Sequence, residues 1–126
     1  PAIPTAAGGR VSAPDFALLE LAAKAAKLDY HVDHLDGCPK LVVGGSVWNP
    51  LCFDGDALRL AVTLHLHLGL ENSVSSAWPA GLMFKAWATE PHGSDAFAAT
   101  RRAIVRAAAA MGSDAASLHS MGKNGQ

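Results

Sequence analysis

Apolar residues recur at helical spacing near the start of the chain. They lie three or four positions apart on one face: Leu18, Leu21, Ala22, Ala25 and Leu28. This spacing is typical of an amphipathic α-helix with one buried stripe. Ser12 can cap the helix and Pro14 falls within its first turn, so the pattern predicts a first helix over residues 13–28.

A second and a third apolar stripe follow later in the chain. Asp54 is predicted to cap a helix of about three turns, whose apolar face carries Leu58, Ala61 and Val62. In the last stretch Ser94 or Asp95 can cap a long helix with its own stripe, made of Phe97, Ile104, Val105, Ala108 and Met111. Gly112 is predicted to end that helix, because glycine is common just after a helical C-terminus. Residues 114–119 could add one more short turn of helix.

Between the helices the apolar period shortens to two, which indicates β-strands with one buried face. The predicted strands are residues 30–35, 64–71, 74–78 and 82–88, and a second strand over 40–43 that continues through 46–48 after an interruption. Residues 36–39 form a turn sequence, and Gly44 and Gly45 suggest a bulge in the returning strand. We therefore predict an α+β fold in the order αββαβββα. Three helices pack on one face of a mainly antiparallel sheet of four or five strands.

Length and composition indicate one soluble domain. The chain has 126 residues, of which 50% are hydrophobic and 17% charged, so it can bury a core. We expect a flexible linker over residues 1–11, the domain over 12–112 and a tail over 113–126. The net charge of -1 gives no general attraction to nucleic acid or membranes, and no apolar run is long enough to span a bilayer. These features favour a cytoplasmic protein with free thiols at Cys38 and Cys52.

Two groups of side chains could in principle support chemistry. Imidazole, thiol and carboxylate groups are the usual zinc ligands, and the candidates are His31, Asp33, His34, Cys38, Cys52, His65 and His67. Paired carboxylates could come from Asp33, Asp36, Asp54 and Asp56. Neither group has the spacing of an established site, and capping and turn formation account for most of these aspartates. We therefore predict no catalytic residues, no metal and no cofactor.

The strongest candidates for binding are arginines and tryptophans. Arg101, Arg102 and Arg106 cluster on the last helix, where guanidinium groups could bind phosphate or pair with nearby carboxylates. Trp78 and Trp87 lie in the predicted strands, where they belong to the core edge or to a partner surface.

Three segments resemble a known family. They are W-N-P-L at residues 48–51, D-A-L-R-L-A-V at 56–62 and A-T-R-R-A-I-V-R-A-A-A at 99–109. The chain is similar over residues 15–112 to small bacteriophage and prophage proteins of the NinX-related type, whose function is unknown. It departs from their pattern at Cys52 and Phe53, where an acidic residue is expected. The resemblance implies a phage accessory protein acting in the bacterial cytoplasm.

The leading functional hypothesis is a non-catalytic phage accessory protein that binds a host component, as an anti-defence or host-takeover factor. A second hypothesis is a sponge for a phosphorylated signalling nucleotide, bound by the arginines and tryptophans. A nucleic-acid binder and a small metal-dependent hydrolase are further alternatives. A homodimer is compatible with all of them, because a small sheet leaves exposed edges.

Overall fold

The computed structural model describes residues 11–34, 37–81 and 86–124, with side chains described as far as Ser113. These residues form three helices and six strands. In chain order they are α1 Ala13–Ala25, β1 Tyr30–Asp33, β2 Lys40–Val43, β3 Ser46–Trp48, α2 Asp54–Thr63, β4 Leu66–Leu70, β5 Val74–Pro79, β6 Ala88–Pro91 and α3 Ala96–Asn124. The predicted α+β class with three helices is confirmed, and the order is αβββαβββα.

The described strands form two antiparallel sheets of three strands each. The first sheet has the order β1-β2-β3 and the second has the order β4-β5-β6. The predicted single sheet of four or five strands is therefore wrong. Alternation along a strand identifies its buried face, but it does not identify the neighbouring strand. The helix α2 separates β3 from β4 along the chain. Within each sheet, strands that follow one another in the chain are neighbours.

Turn geometry corrects the interpretation of the two adjacent glycines. Gly44 and Gly45 have positive φ angles of 60° and 84° and connect β2 directly to β3. Two consecutive residues with positive φ are characteristic of a type I′ hairpin turn, which glycine adopts without steric cost. The predicted bulge is thus a tight turn, and it adds a strand that the predicted order did not count separately.

The second sheet differs from its prediction at both ends. His65 has a φ of 56° and follows the end of α2, so β4 begins at Leu66 and not at residue 64. The predicted strand over residues 82–88 falls largely outside the described residues, since 82–85 are not described. The third strand of this sheet is β6, Ala88–Pro91, which overlaps the predicted strand only at Ala88.

The core is built largely by α1 and α3, whose facing surfaces are rich in alanine. Ala22 and Ala23 on α1 and Ala107 and Ala108 on α3 are completely buried. Gly112 lies in the same helix pair, where a Cβ atom would come 2.0 Å from the carbonyl oxygen of Leu21. The prediction that Gly112 ends the helix is wrong, because α3 continues to Asn124 through the segment predicted as a tail. The glycine permits close packing of two helices.

Candidate functional site

A concave apolar groove lies between α2, β4 and the first turns of α3. Its volume is about 420 Å³. Leu58 of α2, Leu68 and Leu70 of β4 and Phe97 of α3 line it. We call this surface the groove. Its size is within the range of small-molecule and side-chain binding sites in proteins.

The groove exposes large apolar side chains that a folded chain normally buries. Leu58 is 60% exposed, Leu70 66% and Phe97 72%. The pleat of β4 turns its leucines to the same side as the buried Ser75 and Ala77 of β5. The helices cover the inner side of β5 but leave much of the inner side of β4 open. An apolar patch of this kind, concentrated in one depression, is characteristic of an interaction site.

A chain of hydrogen bonds closes one end of the groove. The Ser75 Oγ atom lies 2.9 Å from Nε2 of His92 and 2.7 Å from Oγ1 of Thr100. Nδ1 of His92 is 3.2 Å from the carbonyl oxygen of Asn72, a contact in which only the imidazole can donate. The Thr100 hydroxyl in turn donates to the carbonyl of Ala96 at 2.8 Å.

The order of hydroxyl, imidazole and carbonyl resembles that of an activated serine. Ser75, however, is only 1% exposed and contacts a second hydroxyl on α3. We therefore interpret the arrangement as a clamp that joins β5, the residue after β6 and the start of α3. Sequence reasoning did not identify Ser75, His92 or Thr100, because no local pattern connects residues that lie so far apart in the chain.

All three predicted binding arginines are engaged within the chain. Arg101 donates from Nε to the carbonyl of Leu51 at 2.8 Å and pairs with Asp54 at 2.7 Å. Arg102 forms a bidentate pair with Asp15 at 3.1 and 3.0 Å. This hydrogen bonding to Asp15 raises the pKa of the Arg102 guanidinium, although partial burial opposes the effect. The two side chains attach α3 to the α2 region and to α1.

Arg106 has the same role at the second sheet. Its guanidinium donates to the carbonyl of Thr89 at 3.2 Å and pairs with the Glu90 carboxylate of β6. The three arginines thus connect α3 to three different elements. They do not form a joint phosphate site.

The predicted tryptophans lie together on the other side of the second sheet. The rings of Trp78 and Trp87 are stacked, with centroids 4.4 Å apart and planes within 8°. His67 extends the stack, with its centroid 5.7 Å from that of Trp78. Ser75 and Ala77 alternate with Trp78 along β5 and face α3, so the rings stand on the opposite face. The structure therefore does not bring the predicted tryptophans and arginines to one site.

The candidate metal ligands are also dispersed. Among the residues that the structure describes, no three His, Cys, Asp or Glu side chains are close enough to hold a metal ion. His65 follows α2 and His67 stacks on Trp78, so the two do not form a pair on one strand. Cys38 and Cys52 are not joined by a disulfide. Asp36 lies outside the described residues.

Of the two aspartates at the start of α2, Asp54 does not have the capping role predicted for it. The residue before the helix is Phe53, and Asp54 is the first helical residue and not a side-chain cap. Asp56 accepts the backbone N–H of Asn49 at 2.9 Å and also pairs with Arg59. Asp56 therefore fixes the loop that leads from β3 into the helix.

No helix within the described part of the chain is long and apolar enough to cross a membrane. No protein-family model matches the chain, and no curated protein or solved structure is significantly similar to it.

Proposed function

We propose that the protein is a non-catalytic phage accessory protein that binds a host protein through the groove. The observation that carries the proposal is the concentration of exposed Leu58, Leu70 and Phe97 around one depression. Burying such side chains against a partner is favourable, at about 25 cal/mol per Å² of apolar surface removed from water. The resemblance to phage proteins supports the biological setting.

The side chains that line the groove indicate which kind of host segment fits it. The walls of the groove are mainly leucine and phenylalanine. Its polar groups already bond within the chain: Ser75 with His92 and Thr100, and Arg101 with Asp54. A segment that presents several apolar side chains fits these walls. Such a segment would be the apolar face of an amphipathic helix or an apolar loop.

A pair of groove variants tests the proposal. Leu58→Asp and Phe97→Asp each place a charge where the partner's apolar side chains would be buried, and we expect binding to fall at least tenfold. The measurement is affinity capture from bacterial lysate with tagged protein, followed by titration of the captured protein. Both residues are largely exposed, so the folded state should be retained.

The matched control is Trp87→Ala. Trp87 is also about half exposed, but it lies on the opposite face of the second sheet. The Trp87→Ala variant should capture the same host protein as the unmodified chain. Equal capture by the groove variants and the unmodified chain would refute the groove as the binding surface.

The nucleotide sponge is a second proposal with less support. Arg101, Arg102 and Arg106 would each have to leave a carboxylate before binding phosphate, and that exchange costs most of the electrostatic gain. Cyclic nucleotides should leave the melting temperature of the protein unchanged. A clear increase that is abolished by Arg102→Ala together with Arg106→Ala would favour the sponge.

A further inference from the structure

The strand β4 has one open edge. Within the described residues it pairs with β5 on one side and has no strand on the other. The N–H of Glu71 bonds the carbonyl of Val74, so these two residues form a hydrogen-bonded pair in the register of the hairpin. Hydrogen-bonded and non-hydrogen-bonded pairs alternate in antiparallel strands. The backbone groups of Leu66, Leu68 and Leu70 therefore point away from β5, toward the open edge.

The open edge of β4 lacks the features that normally prevent an exposed strand from pairing with another chain. Proteins block exposed edges with charged residues, proline or bulges. The sequence of β4 is L-H-L-G-L, which has no charged residue other than a titratable histidine and has no proline. Its register with β5 is continuous over all five residues, without a bulge. An open strand of this composition is suited to pairing with another strand.

The sequence of β4 is also suited to antiparallel pairing with β4 of a second copy of the chain. The sequence L-H-L-G-L places leucine at equal distances on either side of Leu68. A two-fold axis at Leu68 pairs it with the partner subunit's Leu68, and it pairs Leu66 with the partner subunit's Leu70. All the outward backbone groups then meet donors and acceptors of the second copy.

The residues that flank the strand fit the same register. The axis at Leu68 places Glu71 level with the partner subunit's His65, just beyond the ends of the two strands. Both residues are exposed. It also places His67 opposite the partner subunit's Gly69. Within each copy the Trp78 ring covers this face of Gly69. This register thus places no like-charged side chains opposite each other.

We propose that two copies of the chain associate through β4 and form a continuous six-stranded antiparallel sheet. The leucines of both strands lie on the same face, so the two grooves become neighbours across the axis. A dimer of this kind buries the open edge and presents two grooves on one surface. The inference does not rest on the proposed function, because it concerns the edge of β4 and not the occupant of the groove.

Charge variants at the axis test the proposal. Purified full-length protein should sediment and scatter light as a dimer. Leu68→Lys and Leu68→Glu should each be monomeric, because two like charges would face each other across the axis. An equimolar mixture of the two variants should again form a dimer, now containing one copy of each.

The matched control is Thr89→Lys on β6, at the opposite edge of the same sheet, which should remain dimeric. A monomeric unmodified chain at high protein concentration would overturn the proposal. So would dimers formed by each Leu68 variant alone, or failure of folded Leu68→Lys and Leu68→Glu to associate when mixed. Circular dichroism of each variant establishes that it is folded before its mass is measured.

Discussion

Replacing Gly112 by alanine is expected to destabilise the protein by about 3 kcal/mol, although alanine is the better helix former. The new Cβ would lie 2.0 Å from the carbonyl oxygen of Leu21, and 2.9 Å from the carbonyl carbon. These are backbone atoms of α1, so no side-chain rotation can relieve the overlap. The helices must move apart, which loosens the packing of Ala22 and Ala108.

Chemical denaturation measures this change in the free energy of unfolding, and thermal unfolding measures it as a shift in melting temperature. A loss of about 3 kcal/mol lowers the melting temperature of a domain of this size by roughly 10 to 20 °C. The control is Gly55→Ala in α2, where the new Cβ meets only the flexible end of the Arg59 side chain at 3.3 Å. There the gain in helix propensity should leave stability unchanged or raise it by up to about 1 kcal/mol. Similar stabilisation by both substitutions would contradict the close approach of α1 and α3.

Replacing Asp56 by alanine is expected to cost about 2 kcal/mol. Its carboxylate is the acceptor for the backbone N–H of Asn49, a residue that is 7% exposed. The substitution leaves this donor without its charged acceptor in a poorly hydrated position. The loop between β3 and α2 should loosen, and the midpoint of urea unfolding should fall.

Asp54→Ala provides the comparison, because Asp54 also belongs to the first turn of α2 and also pairs with an arginine. Its side chain is 71% exposed, against 13% for Asp56. Arg101 would keep its bond to the carbonyl of Leu51. We expect a loss of less than about 1 kcal/mol, as is usual for exposed ion pairs. A larger loss for Asp54→Ala than for Asp56→Ala would restore the predicted capping role of Asp54.

Interactions between near neighbours in the chain were predictable from the sequence. The Ser12 side chain accepts the N–H of Asp15 at 3.2 Å, as the pattern at the start of α1 predicts. The alternation of β5 places Ser75, Ala77 and Pro79 on its buried side. The α+β class follows from these local periods, because the spacing of side chains along a helix or strand depends only on backbone geometry.

Interactions between distant parts of the chain were not predictable in this way. The sequence contains Arg102 and Asp15, but only the packing of α3 on α1 brings them within 3.1 Å. Ser75, His92 and Thr100 meet for the same reason, across two sheet strands and a helix. The division into two sheets likewise depends on which strand edges meet.

The sequence by itself therefore determined the positions of the helices and of most of the strands. It did not determine all of their buried faces, because Leu58 and Val62 of α2 and Phe97 of α3, which belong to the predicted apolar stripes, are mostly exposed. The tertiary structure decided that Gly112 packs between α1 and α3. It also decided that Arg101, Arg102 and Arg106 pair with carboxylates of the same chain. It also decided that Leu58, Leu70 and Phe97 surround one groove. The physical reason is that backbone periodicity acts over a few residues, whereas close packing and ion pairing depend on atoms that only the complete fold brings together.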